Sequence, residues 1–273
     1  GAVDYVQKPD GTISLSIEQI ERQLLAKIKG AARARIRRAI GLKNRIAGAQ
    51  SDAVATRQKQ PAPAGPGLGG PQGLVLVGVA TGGPGTLEDI LPALSPALPW
   101  PVLIAQHMPG SFTGVFARRM NDMCPLEVVE VERQMPIERG RVYIAKGDAD
   151  VVITRRGSGY SATPVPASRD HLWHPSVERM VTSALDLLPA NRLIAVELTG
   201  MGNDGADAMT TVKQLGGLTI AQDEATSVVF GMPQELIRRG GASIVLPSQR
   251  IAHQLNSWLG CPAGQTGGRR HVG

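Results

Sequence analysis

The sequence predicts an α/β fold: a doubly wound, mostly parallel sheet with helices on both faces and a small antiparallel hairpin, preceded by a helix and a flexible linker. Three observations predict it. From Leu74 onward, short apolar runs alternate with stretches of helical periodicity. Four of those runs are apolar throughout, the pattern of parallel strands covered on both faces. Between 126 and 163 several strand-like runs follow one another with no helix between them, which reads as an antiparallel flap or edge hairpin.

The chain opens with GAVDYVQKP, a strand-like run ending in Lys8-Pro9. A helix reads from Ser16: Ser16 and Gln19 have capping-box spacing, and Ile17, Ile20, Leu24 and Ile28 recur at helical intervals. Gly41 ends this first unit, residues 1–41. Residues 42–72 lose periodicity and become QKQPAPAGPGLGGPQG, a flexible linker with no means of building a core. The main domain covers 73–260, and 261–273 reads as a disordered tail. Within the domain, strands are expected at 74–79, 101–106, 126–131, 141–145, 150–154, 193–198, 218–222 and 243–246. Helices are expected at 86–95, 111–122, 176–188, 204–215, 232–239 and 248–258.

Composition narrows the class. The 273 residues, 42% apolar, can bury one sizeable core. No run approaches 18 consecutive apolar residues, so no membrane insertion is expected. The first residues lack a basic n-region and a long apolar stretch, so no signal peptide is expected, and the absence of a starting Met reads as a fragment or a processed chain. Cys124 and Cys261 lie far apart, which fits a reducing cytoplasm. The net charge of +6 is unevenly placed: Arg22 to Lys59 holds eleven Lys or Arg and one acid, Asp52. With no interleaved aromatics, that stretch reads as a solvated helix and linker, and no nucleic-acid partner is expected.

In an open parallel sheet, ligands bind beyond the carboxyl ends of the strands. Ala80, Thr81, Gly82 and Gly83 follow the first strand, His107 the second, the turn TGMGNDG (199–205) the sixth, and Asp223 and Glu224 the seventh. Singly, each has a plain reading. The glycines suit a tight turn and match neither a dinucleotide nor a Walker fingerprint. His107 suits a cap or the surface, and Asp204 suits a helix N-cap. Asp148, Asp150, Asp223 and Glu224 read as solvated loop acids. The histidines form no ligand-spaced cluster, and His171 and His174 have no partner acid at useful spacing, so no metal and no cofactor is expected. Together the elements suggest a hydrolase. His107 would act as general base, Asp204 would fix its tautomer, and N–H groups of the 199–203 turn would hold an oxyanion. The missing member is a hydroxyl at position 80.

These residues carry a resemblance. GVATGGP (78–84), QHMPGSF (106–112), YIAKGD (143–148), HPSVERM (174–180), LTGMGNDGADAM (198–209) and AQDEATSVVFGMPQ (221–234) resemble, in this order, the catalytic domain of CheB-type chemotaxis protein-glutamate methylesterases. The resemblance covers residues 74 to 259. It implies a Ser-His-Asp hydrolase that demethylates, and often deamidates, methyl-accepting chemotaxis receptors in the cytoplasm. His107 and Asp204 match the family's histidine and aspartate, the N–H of Met201 an oxyanion donor, Thr81 the residue after the nucleophile, and Gly82 and Gly83 its glycines. GAVDYVQKP resembles the end of a response-regulator receiver domain, with Lys8 matching its phosphoryl-contacting lysine and Lys8-Pro9 a cis-proline site. That implies the chemotaxis histidine kinase as a partner, acting through the remainder of the receiver.

Ala80 stands where the family has serine, and a methyl group cannot attack an ester. Three readings follow: an engineered Ser-to-Ala exchange, a natural silent member that still binds receptors, or replacement by Thr81, whose β-branched side chain is stiff and points elsewhere on a tight turn. Arg118, Arg119 and Lys146 are basic residues that would face acidic receptor helices. Met108 and Met201 would line a slot for the methyl ester.

Overall fold

The structure, a computed structural model, describes residues 72–261 and, within the helix expected from Ser16, residues 21, 24, 25, 27, 28, 29, 31 and 32, all helical. The expected strand before Lys8-Pro9, the linker to residue 71 and the tail from 262 lie outside the described residues.

In chain order the domain runs β1 (Leu74–Val79), α1 (Gly83–Ile90), β2 (Val102–Gln106), α2 (Gly110–Met123), β3 (Glu127–Val131), β4 (Met135–Pro136), β5 (Arg141–Ala145), β6 (Ala149–Arg156), β7 (Gly159–Pro166), α3 (Val177–Leu185), β8 (Leu193–Glu197), α4 (Ala206–Gln214), β9 (Leu218–Gln222), α5 (Met232–Arg238), β10 (Ile244–Leu246) and α6 (Ser248–Trp258). Seven strands form one parallel sheet in the order β10-β9-β8-β1-β2-β5-β3. β4, β7 and β6 form a separate antiparallel sheet.

The alternation within each strand explains the two covered faces. Leu74 and Leu76 of β1, Leu103 of β2 and Ala195 of β8 pack with Met180 and Ala184 of α3, Met209 and Val212 of α4, and Leu236 of α5. Val75, Val77 and Val79, with Ile104 and Val196, pack with Leu87 and Ile90 of α1, Phe116 and Met120 of α2, and Ile251 and Leu255 of α6. Each of the Leu, Val, Ile, Met and Phe side chains among them contributes roughly 1.5–3 kcal/mol when fully removed from water. No polar side chain interrupts β1, so it has to lie at the centre.

Two expectations are corrected. Residues 127–131 and 141–145 are not part of the hairpin; they are parallel strands of the main sheet, β3 against β5 and β5 against β2. Val142, Tyr143 and Ile144 are fully buried, which only a strand covered on both faces allows. The link between them has no helix. It passes through β4, and the Tyr143 hydroxyl pins it by donating to the Pro136 carbonyl and accepting from the Glu138 N–H, both at 2.8 Å. The hairpin is β6–β7, and it runs to Pro166. Its second strand, GYSATPVP, has small and polar residues and two prolines, a weak strand signature.

The strand order reverses direction at β1: β2 lies on one side of it and β8 on the other. The carboxyl ends of β1, β2 and β8 therefore meet at a topological switch point, the place where such sheets bind ligands.

Candidate active site

Ala80 follows β1 and is 7% exposed. Its N–H donates to the Thr199 carbonyl at 2.9 Å, and its own carbonyl accepts from Gln106 Nε2 and from the Gly83 N–H, each at 2.9 Å. Position 80 is thus tied to the ends of both neighbouring strands. Gly82, with φ +84°, turns the chain into α1. At Gly83 a Cβ would stand 2.1 Å from Gln106 Oε1, so the close approach of these two residues requires glycine.

His107 follows β2, and its N–H donates to the Val79 carbonyl at 2.9 Å. Its ring Nε2 lies 2.8 Å from Asp204 Oδ2, with side chains 10% and 6% exposed. Asp204 does not cap its own helix: α4 begins at Ala206, and Gly205 is its N-cap. Asp204 instead accepts from the N–H groups of Val177 (2.7 Å) and Glu178 (2.9 Å) and from the Ser176 hydroxyl (3.1 Å), at the start of α3. Burial pushes its carboxyl up, but His107 and these N–H donors outweigh that and hold it below the ordinary value. An ionised acid on Nε2 selects the Nε2–H tautomer and leaves Nδ1 as the basic nitrogen.

The turn after β8 starts at Thr199, a buried hub. Its hydroxyl donates to the Thr81 carbonyl at 2.8 Å and accepts from the N–H groups of Val228 and Val229 at 3.0 Å. Gly200 pairs with Val229 and with Met232. The Met201 N–H donates to no group among the described residues, which suits an oxyanion donor. An open cleft of about 640 Å³ begins at Met201 and Asn203 and extends to Gln234 and Arg238, with Lys29 also on its wall.

The structure brings Ala80, Thr81, Gly82, Gly83, His107, Met201 and Asp204 to this one sheet edge. Arg118 and Arg119 lie on the exposed side of α2, where Arg119 pairs with Glu88 at 2.8 Å, and Lys146 is exposed. Several residues were missed. Gln106 and Gln222 are buried amides that tie the ends of β2 and β9 to Ala80 and Thr199. The signal was present: both strands, VLIAQ and LTIAQ, end in Ala-Gln. Trp173 stacks on His107, with ring centroids 5.7 Å apart and planes 12° from parallel.

Two readings of side chains fail. Asp150 is not solvated: it is buried and accepts from His174 Nδ1, Arg179 Nη1, and the N–H groups of Ser168 and Ser176. Burial raises its carboxyl and these four donors lower it further, to a net value below the usual range. His174 therefore does have a partner acid, 24 residues upstream, beyond the reach of local spacing. Glu197, at the end of β8, is fully buried with neither oxygen hydrogen-bonded among the described residues. Burial, then the charges of Asp204 and Glu178, drive its carboxyl well above the ordinary value.

Comparison with known proteins places the chain in a family. The family model for CheB methylesterase matches residues 75–255. The chain is 60% identical over 262 residues to protein-glutamate methylesterase/protein-glutamine glutaminase 3 of Rhodospirillum rubrum, covering 95% of this chain and 70% of that one. It is 49% identical to protein-glutamate methylesterase/protein-glutamine glutaminase 2 of Rhodopseudomonas palustris, covering 94% and 72%. The fold matches the crystal structure of the CheB methylesterase catalytic domain of Thermotoga maritima with a TM-score of 0.66 at 35% identity, over 68% of this chain and 98% of that one. The chain belongs to the CheB methylesterase family, a family of carboxylic ester hydrolases.

Proposed function

We propose that this chain carries the site of a protein-glutamate methylesterase and protein-glutamine glutaminase acting on methyl-accepting chemotaxis receptors, silenced at the nucleophile position by Ala80. The carrying observation is the His107–Asp204 pair at 2.8 Å, on the sheet edge that also holds position 80 and the Met201 turn. With a hydroxyl at position 80, its oxygen attacks the glutamyl carbonyl carbon while His107 Nδ1 takes its proton. The oxyanion is held by N–H groups of Met201 and Thr81. The proton then goes to the departing methoxide, giving methanol, or to the departing amide nitrogen of a glutamine, giving ammonia. The acyl ester left behind is cleaved by a water that gives its proton to His107, which returns it to the oxygen at position 80 as the glutamate leaves. Asp204 keeps the tautomer fixed and stabilises the imidazolium. Gly82 and Gly83 let the loop close against Gln106.

In this chain the first step has no nucleophile. The expected rate is that left by oxyanion stabilisation and binding alone, many powers of ten below a complete triad. Methanol release from methylated receptor is expected from Ala80→Ser and not from the parent. A second reading, a silent receptor-binding module, draws on Ala80 itself. Receptor binding by the parent with no turnover after reversion would establish it. The histidine kinase of the pathway is the expected partner of the receiver whose end matches residues 1–41, and the cytoplasm is the expected compartment; among the described residues no helix is long and apolar enough to cross a membrane.

A further inference from the structure

The stretch between β7 and α3 is held by one buried acid. Asp150 binds the Ser168 N–H (3.0 Å), His174 Nδ1 (2.8 Å), the Ser176 N–H (2.8 Å) and Arg179 Nη1 (2.8 Å), so both ends of the 168–176 loop are fixed. The loop so held delivers Trp173 to the site. The indole lies nearly parallel to the His107 imidazole, 5.7 Å between centroids. Its Nε1 lies against the oxyanion turn, where a Cβ placed on Gly202 would stand 3.2 Å away. Among the described residues that indole N–H donates to no group.

We propose that Trp173 is a third working side chain of the site: its ring holds the imidazole of His107 against Asp204, and its indole N–H donates to an oxygen of the glutamyl ester beside the Met201–Gly202 turn. The donor role rests on the substrate class proposed above; the holding role does not.

A single hydrogen bond from Nε2 to Asp204 fixes one point of the His107 ring and leaves rotation about that contact. The sp³–sp² torsion that turns an imidazole is broad and nearly two-fold. An offset, near-parallel aromatic partner removes that freedom and holds Nδ1 in one direction. The indole face also attracts the imidazolium that forms on proton transfer. The indole nitrogen is a donor only. Set beside a turn whose Met201 N–H also has no acceptor among the described residues, it gives the acyl oxygens a donor beyond the Met201 and Thr81 N–H groups. A phenylalanine would reproduce the stack and lack the donor.

Two variants separate the roles: Trp173→Phe keeps the ring, and Trp173→Leu removes ring and donor. The first measurement is ¹⁵N NMR of the His107 ring in the chain as it stands. A single ordered His107 ring is expected in the parent and in Trp173→Phe, with exchange-broadened ring ¹⁵N signals in Trp173→Leu as the ring turns on its Asp204 contact. An unchanged His107 signature in Trp173→Leu overturns the holding role. Should that variant lose its fold, Trp173→Met takes its place.

The second measurement titrates a peptide bearing a glutamate methyl ester into the chain, where Ala80 leaves the ester intact. The chain has three tryptophans, and the Trp173 indole resonance is assigned by its loss in Trp173→Phe. It is expected to move downfield on binding. In an Ala80→Ser background, Trp173→Phe is expected to lower kcat/KM about 3- to 10-fold, the value of one neutral hydrogen bond. An indole resonance that stays in place while the Met201 N–H moves overturns the donor role. A peptide that moves neither overturns the donor role together with the proposed activity, while the His107 signature still decides the stack.

Discussion

Asp204 Oδ2 accepts from His107 Nε2 at 2.8 Å and, through the same oxygen, from the Val177 N–H at 2.7 Å. The acid paired with the histidine therefore also accepts from the first N–H groups of α3, beside its N-cap Ser176. The arrangement is reciprocal. Glu178, in the first turn of α3, accepts from the Ala208 N–H of α4 at 3.1 Å. Each of the two helix N-termini donates to a carboxylate placed beside the other, and the His107–Asp204 pair inherits the rigidity of that junction.

Asp204→Asn keeps the shape but turns one acceptor oxygen into a donor, facing either His107 Nε2–H or a helix N–H. In an Ala80→Ser background, kcat is expected to fall roughly 10³- to 10⁴-fold, the size of effect seen when a triad acid becomes an amide. Stability is expected to fall by about 1–3 kcal/mol for the lost acceptor. Steady-state kinetics and denaturant unfolding read the two separately.

The acids of the site titrate in opposite senses. Asp204 and Asp150 are held below their ordinary values, so the stability they contribute is present above pH ~4 and is lost as pH falls through their folded values. Glu197 is held above its ordinary value, because burial between Gly78 and Gly205 disfavours its charge and Asp204 and Glu178 add repulsion. Its contribution is full below pH ~4.5 and is lost as pH rises through the folded value. Glu197→Gln is expected to raise Tm by roughly 2–4 °C at pH 8, about 1 kcal/mol for a domain of this size. At pH 4 it should change Tm little. Thermal melts of both proteins across pH 4–9 check this, and an equal shift at both ends would contradict a neutral Glu197.

Two glycines two residues apart at the start of α1 behave differently. A methyl at Gly83 meets Gln106 Oε1 and Val79 Cγ2, at 2.1 and 2.5 Å, whereas one at Gly85 meets nothing within 4 Å. Gly83→Ala is expected to cost about 1–3 kcal/mol through overpacking and loss of the Gln106 bond to Ala80. Gly85→Ala, in the same helix, is expected to add about 0.5–1 kcal/mol. Urea unfolding of both variants reads the contrast.

Asp150→Asn removes the charge from a buried acid that serves an arginine, a histidine and two backbone N–H groups. A loss of about 3–5 kcal/mol is expected, as for a buried ion pair left with one partner. Arg179→Gln, whose side chain is a third exposed, should cost much less. Denaturant midpoints of the two variants test the ranking.

The sheet was legible because its strands are apolar on both faces and end at polar or glycine residues. β7 was not, since prolines and small residues hide its pattern, and β3 and β5 were misassigned because parallel strands joined without a helix look like a hairpin in one dimension. The His107, Asp204 and glycine positions were legible from the strand ends and the family motifs. Trp173 and Asp150 were not: each meets a partner distant in sequence, and nothing local in His174 or Gly202 announces it. Glu197 was not either, because its burial against Gly78 and Gly205 appears only in the packed sheet. Gln106 and Gln222 lay between; an amide closing an apolar strand is a visible anomaly whose purpose only the packed loops reveal.

The central claim is that position 80 is the nucleophile position, served by His107. A serine-directed fluorophosphonate followed by intact-mass analysis tests it without a receptor. Ala80→Ser is expected to take up one adduct, on the peptide containing residues 80–83, while the parent and the Ala80→Ser/His107→Gln double variant stay unlabelled. Labelling of the parent, which would put the reactive hydroxyl on Thr81 or elsewhere, or no labelling of Ala80→Ser, would contradict the account.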